Sequence, residues 1–380
     1  MEVHCTFDRG RLFSICFILI SVIAIAPTTA LAVIYGDDDR QDVYEVSNPA
    51  MLLAAQATAM LIPRDQLQFD QTTGEYEILL SQDLSDLCAD EKFIDQPTAA
   101  PFCSGTVVGS DLIVTADFCL TALDVLKSLD NVAVVFGFYM KGASEYSSRL
   151  DANDVYFLKE EVARVNTPYE SIPVLRVNRP FVGHESLPIR PPEESLDEFF
   201  MPDVFSAAYM EGIPLKLTGD SYSYQDRTAT EGYWYLGYWL DVLAGSAGAP
   251  VFSLQYDNSF QFVEGIVAYG PPDYTWTPDG CIARMVLPYG EKPGIEGGEQ
   301  AIVLSSIYEI VTGNIVLAGC DTLVKDRLLD GMMLSDQFAQ CDSLIGTERD
   351  YKKCIKSLAR EFKQAGAITS GEIKLIGACW

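Results

Sequence analysis

The sequence predicts an all-β domain followed by a small helical tail, and three observations carry that expectation. Between Phe102 and Val311, short apolar runs alternate with Gly, Pro, Asn and Asp, the pattern of many short strands joined by turns in a barrel or sandwich. No βαβ alternation, internal repeat or low-complexity tract interrupts it. Beyond Gly313 the period changes. Tyr351, Cys354, Ile355, Leu358 and Phe362 recur at three- and four-residue intervals on one helical face, with Thr347 as a cap.

Taken in order, residues 1–32 read as a signal peptide. Arg9 and Arg11 precede an apolar run from Leu12 to Ala26, and Ala30-Leu31-Ala32 has the small-x-small cleavage pattern. The run is shorter than a typical bilayer span, which disfavours an uncleaved anchor. Next, Asp37–Asp39 with Arg40 read as a solvated turn, and Ala50–Leu61 as an amphipathic or buried run. Strands are expected at Asn131–Phe138, Ile172–Val177, Val204–Ala208, Leu215–Thr218, Tyr233–Leu240, Val251–Leu254 and Phe262–Ala268. Pro173 removes an N–H from its strand, which places that strand at an edge or a bulge. Ala301–Val311 reads as a helix closing the domain. These divisions give a β domain at 33–312 and a cysteine-containing helical extension at 313–380.

Cysteine and charge usage narrow the class. The eight cysteines after residue 32 are Cys88, Cys103, Cys119 and Cys281, then Cys320, Cys341, Cys354 and Cys379. An even number in an exported chain implies disulfides, and four tail cysteines allow three connectivities. Without a CxxC pair, and with His184 as the single histidine after residue 32, neither a zinc site nor another cofactor is expected. The formal net charge is −28. Residues 1–32 are neutral and residues 321–380 carry nine acids and nine bases, so the whole excess lies between 33 and 320. That excess argues against nucleic acid as a partner and reads as a solubilising surface.

The stretch Phe102–Leu120, FCSGTVVGSDLIVTADFCL, has the form of a hairpin with Gly109-Ser-Asp111 at its turn. Cys103 and Cys119 stand at its outer ends, close enough to bridge. The stretch resembles the FCSGxxVGxxLIVTAGHC motif of secreted trypsin-like serine peptidases. Leu240–Phe252, LDVLAGSAGAPVF, resembles the LDTFxGNSGSPVF turn of that family, and Ser171–Phe181, SIPVLRVNRPF, its DxALLRLDRPx strand. Asp154–Tyr156, Leu187–Arg190, Gly212–Lys216 and Val263–Val267 extend the likeness. The run DDDRQDVYEV resembles the amino-terminal region of its bacterial, glutamyl-endopeptidase-like branch. The resemblance covers roughly residues 35–312.

It implies two antiparallel six-stranded β-barrels with a C-terminal helix, and a secreted or periplasmic location. It also implies that the catalytic His, Asp and Ser positions are Phe118, Ser171 and Ala247, with Gly245, Ser246 and Ala247 forming the oxyanion-hole turn. Base, orienting acid and nucleophile are all replaced. What survives such a loss is oxyanion-hole and binding catalysis of only ~10³–10⁴-fold over water.

The expectation is therefore an inactive homologue that holds a peptide or protein in the former cleft. Trp239 and Tyr269 would line that cleft, within an aromatic set that includes Tyr233, Trp234, Tyr235, Tyr238, Tyr274 and Trp276. Two rivals stand beside it. One is a hydrolase with a rearranged site, using His184, Ser246 or a carboxylate such as Asp117 or Glu170. The other is a structural or decoy protein with an idle cleft. On the residues alone, His184 reads as an exposed loop histidine, and Ser104 and Ser110 as ordinary hairpin residues.

Overall fold

A computed structural model describes residues 33–379 apart from 81–83, 122–127, 167–170, 193–202, 223, 226–234, 256, 258, 271, 289–298, 327, 330–331 and 344–347. The signal segment, Glu170, Tyr233, Trp234 and the cap at Thr347 lie outside the described residues. Strands take 39% of the chain against 22% for helices, so the fold is mostly β as predicted.

Six strands close a barrel: β1 (Thr58–Pro63), β2 (Cys103–Val107), β3 (Leu112–Val114), β4 (Val132–Val135), β5 (Val155–Asn166) and β6 (Ser171–Val177). Their cyclic order is β1-β2-β3-β6-β5-β4. The Val-rich β4 is buried along its whole length, and so is β2, whose outer face is covered by the second β unit. Both therefore read as continuous apolar or small-residue runs rather than alternating ones. Pro173 does not mark an edge strand, because β6 lies between β5 and β3. Its missing N–H is tolerated because β3 pairs only with Val174–Arg176, so Pro173 has one neighbour, Arg164. Register shifts in β5 lie beside it, between Leu158 and Glu160 and between Glu161 and Ala163.

The second β unit is an open sheet of eight strands, not a second closed barrel, among the described residues. It contains β7 (Asp203–Ala208), β8 (Lys216–Tyr222), β9 (Tyr224–Gln225), β10 (Tyr235–Tyr238), β11 (Pro250–Leu254), β12 (Phe260–Tyr269) and β13 (Glu299–Val303), plus the short strand Gln41–Asp42. The order is β9-β10-β13-β12-β11-β7-β8 and then Gln41–Asp42. Without the two-residue segments at its ends, six strands remain. Their order is the barrel's cyclic order, cut between the second and third strands, β8 and β10. One apolar core runs through both units and joins Met60, Val114, Val135 and Val174 to Phe205, Tyr209, Phe252 and Ile302.

Two elements differ from expectation. Ala301–Val303 belongs to β13, with Leu304–Ile307 a 3₁₀ turn and Tyr308–Val311 a single α turn. A short apolar run fits either period, and here Ile302 is held between Tyr235 and Ile266 on two neighbouring strands. The run Ala50–Leu61 splits in two. Helix α1 (Pro49–Gln56) is capped by the Asn48 side chain, which accepts from the Ala50 N–H, and β1 follows from Thr58.

The tail is less purely helical than predicted. It begins with a hairpin, β14 (Asn314–Leu317) and β15 (Cys320–Lys325), before α2 (Leu334–Ser343), α3 (Glu348–Gln364) and α4 (Ser370–Gly377). Its core contains Phe338, Ile355, Phe362 and Ile376 and includes no residue from outside the tail. On the predicted face of α3, Ile355 and Phe362 are buried, while Tyr351, Cys354 and Leu358 pack half-buried beside them. Disulfides Cys320–Cys379 and Cys341–Cys354 close this unit. In the β domain, Cys103 bridges Cys119 as expected and Cys88 bridges Cys281. Four disulfides are consistent with an extracytoplasmic protein. Among the described residues, no helix is long and apolar enough to cross a membrane.

Candidate functional site

The barrel and the sheet meet at the turn between Leu243 and Pro250. Gly245 (φ +95°) and Gly248 (φ +81°) both lie in the left-handed region. At Gly248 a Cβ would stand 2.3 Å from both the Ser104 carbonyl oxygen and Thr115 Oγ1, so only glycine fits. Hydrogen bonds fasten the turn to β2: the Ser104 N–H donates to the Ala247 carbonyl (2.8 Å) and Thr106 Oγ1 to the Gly248 carbonyl (3.0 Å). Ser104 is thus more than a hairpin residue. Its buried hydroxyl donates to the Gly245 carbonyl (3.1 Å) and accepts from the Tyr209 N–H (3.1 Å). On its other side, the turn exchanges hydrogen bonds with β12: Gly248 N–H to Val267 O and Val267 N–H to Ala249 O, both 2.8 Å. The N–H groups of Gly245 and Ala247 have no hydrogen-bond partner among the described residues.

The positions that the resemblance aligns with a catalytic triad are Phe118, Ser171 and Ala247, none of them the residue type the alignment calls for. Ala247 is 5% exposed and sits in an apolar cluster with Cys103, Cys119, Phe136 and Leu175, against which Phe118 packs. Phe118 opens a one-turn helix, Phe118–Thr121, on the Cys103–Cys119 bridge. A methyl and a benzyl group therefore occupy the positions where the resemblance places a hydroxyl and an imidazole. Ser171, at the start of β6, donates to Asn166 Oδ1 (2.8 Å) across the β5–β6 pair. Asp117, beside Phe118, is ion-paired to Arg164, which also holds Glu161 at 2.6 Å. The hydrogen bond from Arg164 lowers the Glu161 pKa, so Glu161 is stabilised as an anion rather than prepared as an acid.

His184 is not an exposed loop residue. Its side chain is 9% exposed and stacks on Phe136, with ring centroids 3.8 Å apart. Nδ1 lies 2.9 Å from the Gln56 carbonyl and Nε2 3.0 Å from Asp154 Oδ1. Both nitrogens face acceptors, so the ring ties α1 to the barrel and offers no lone pair to a substrate. Ser246, 3% exposed, has no basic hydrogen-bond partner among the described residues.

The aromatics expected to line a cleft separate into two groups. Tyr269 ends β12, two residues beyond the Val267 that pairs with the turn, and lies opposite Gln300 of β13. Trp239 follows Tyr238, which pairs with Glu299 of the same strand. Register thus brings Trp239 and Tyr269 to one end of the sheet, beside the turn. The Tyr274 hydroxyl is instead committed to Glu211 (2.8 Å), and Trp276 stands 73% exposed on the hairpin Tyr274–Trp276 with Ile282–Arg284.

Sequence reasoning missed a second, charged centre. Val33–Asp42 is packed into the sheet, so Asp37–Asp39 and Arg40 are not a solvated turn; of the four, only Asp37 is exposed. Arg40, fully buried, lies between Asp38 and Glu211, and Glu211 also holds Arg284 at 2.7 Å. Arg284 reaches Glu91 (3.0 Å), while buried Lys216 contacts Asp42 (2.6 Å) and Gln96 (2.7 Å).

Next to these pairs are carboxylates that no cation among the described residues pairs with. Asp241 accepts the N–H groups of Tyr35 (2.7 Å) and Asp39 (2.9 Å). Burial and the neighbouring Asp39 push its pKa up to about 7, and burial pushes Asp39 to about 6. Glu299, fully buried, accepts the Val33 N–H (3.1 Å), and burial holds its pKa well above the usual carboxylate range. A cleft of about 670 Å³, lined in part by Asp38, Asp39, Lys92 and Phe93, opens here; no triad position lines it. The DDDR run beside the apolar Val-Ile-Tyr was the available signal, since an apolar entry segment takes its neighbours inward. Among the described residues, no group of three His, Cys, Asp or Glu is arranged to hold a metal ion.

The chain matches no protein-family model and no curated protein. A functional reading therefore rests on the motifs and on this geometry.

Proposed function

We propose that this protein is an exported homologue of the trypsin-like serine peptidases that binds an extended peptide or protein segment and does not cleave it. The observation that carries the reading is the turn itself. Its glycine geometry and its fastening to β2 are retained, while the nucleophile position is a buried methyl group beside Phe118. The strand order supports the family assignment, since the sheet repeats the cyclic order of the barrel with one seam open. Uncommitted N–H groups at Gly245 and Ala247 are suited to a carbonyl oxygen, and Trp239 and Tyr269 to the side chains of an extended segment laid beside the turn. His184, with both ring nitrogens occupied, supports loss of catalysis rather than relocation of the base.

Intact-mass analysis after exposure to a fluorophosphonate tests the first half of this reading. The native chain should take up no adduct, whereas Phe118→His/Ser171→Asp/Ala247→Ser should acquire one at position 247. A stoichiometric adduct on the native chain would refute it. Selection from a displayed library of extended peptides tests the second half. Trp239→Ala and Tyr269→Ala should each weaken capture at least tenfold, and undiminished capture would show that the cleft is idle.

A further inference from the structure

The tail carries a surface that the cleft reading leaves unused. On α3, Arg349, Lys353, Lys356, Arg360 and Lys363 follow one another at intervals of four, three, four and three residues. That spacing sets all five on one face of the helix, in a single row. At 1.5 Å rise per residue the row is roughly 21 Å long, with a cation about every 5 Å. All five residues are exposed, and none makes an ion pair with a described residue. The opposite face of α3 is spent on the tail's own core through Ile355, Ala359 and Phe362.

Like charges three and four apart destabilise a helix, so the row works against the element that carries it. It is also exceptional in a chain of formal charge −28, whose acidic excess lies between residues 33 and 320. The tail has its own core and two of its own disulfides, so this basic face is presented by a module with a separate fold.

We infer that the α3 row is a docking surface for a linear acidic polysaccharide, one bearing carboxylate or sulfate groups along its chain. A row of cations, rather than a cup, matches a ligand whose charges also lie in a row. The face between the cations holds only Asp350, Ser357, Glu361 and Gln364 among its exposed residues. It has no aromatic ring for stacking on bases and no apolar side chain to enter a bilayer, which disfavours single-stranded nucleic acid and lipid. Four disulfides accord with surroundings outside the cytoplasm, where such polymers are encountered. The acidic β domain would be repelled by the same polymer, so attachment should occur by the tail and weaken steeply with salt.

The test uses the full chain and heparin as the sulfated probe, with polygalacturonate as the carboxylated one. The native protein should be retained on immobilised heparin at low ionic strength despite its net charge. Lys353→Glu/Lys356→Glu/Arg360→Glu/Lys363→Glu should abolish retention, and Lys356→Glu alone should shift elution to lower salt. A control with Lys141→Glu/Lys159→Glu, two exposed lysines of the barrel unit, should elute close to the native protein. Near-native circular dichroism of the fourfold variant would separate lost binding from lost fold. If that variant is misfolded, Lys356→Glu alone decides. No retention of the native chain, or retention that the reversals leave unchanged, would overturn the inference. Equal binding to duplex DNA or to phosphatidylserine vesicles, lost with the same residues, would overturn the assignment to polysaccharide.

Discussion

Two buried centres of the β domain, the turn at Gly245–Gly248 and the lattice around Arg40, have opposite chemistry. At the turn, where the likeness calls for a base, an acid and a nucleophile, the chain buries carbon: Ala247 among apolar side chains, with Phe118 against them. At the lattice, where nothing calls for catalysis, it buries Arg40, Lys216, Glu211 and Arg284. Buried charge in this protein is therefore a fastening device, used to hold an entry segment and the loops near residues 91, 211 and 284 together. A strongly perturbed ionisable group is a site candidate only where a ligand could reach it. Asp241 and Glu299 are perturbed because they are walled in.

The comparison can be tested by removing what each centre depends on. Glu211→Ala should have the largest effect, leaving Arg40 and Arg284 without their shared carboxylate. Breaking a buried pair in this way costs about 3–5 kcal/mol, readable by urea denaturation. If the loss is below 1 kcal/mol, the lattice is not a fastening. Gly248→Ala should follow at about 2–4 kcal/mol, because a Cβ there meets the Ser104 carbonyl and Thr115 and the φ is strained.

Ala247→Ser alone should destabilise by about 1–2 kcal/mol, since it places a hydroxyl among apolar groups, and should gain no reactivity toward a fluorophosphonate. Labelling of that single variant would mean that a base is present after all. A further prediction concerns pH. Asp39 and Asp241 have folded pKa values of about 6 and about 7 against an ordinary 3.8, so the folded state binds more protons between about pH 4 and pH 7. Stability should therefore decline as pH rises through that window, and Asp241→Asn should flatten the Tm profile there.

Local patterns were readable in advance and distant ones were not. The Cys103–Cys119 hairpin and the strands at Val132–Val135, Ser171–Val177 and Pro250–Leu254 declare themselves through branched apolar runs between turn residues. So did the helical face of α3. The ion pairs from Arg40 to Glu211 and from Arg284 to Glu91 span more than 150 residues, and no local spacing encodes them. The burial of His184 is hidden for the same reason: its stacking partner Phe136 and its acceptor at Gln56 lie far away in sequence. Ala301–Val311 failed differently, since a short apolar run fits either period until its neighbours are known. At the candidate site, the identities of Phe118, Ser171 and Ala247 were plain from the sequence. That Ser104 locks the turn to the barrel was not, because a serine in a hairpin carries no mark of what it will touch.

The four disulfides have a further consequence. Cys88–Cys281 and Cys103–Cys119 begin and end within the β domain, while Cys320–Cys379 and Cys341–Cys354 begin and end within the tail. No crosslink among them straddles Thr312. A single peptide-bond scission between Thr312 and Cys320 would therefore divide the chain into two internally bridged bodies with no covalent bond between them. The acidic body and the one bearing the cationic row could then part company, each with its own sulfur bridges intact.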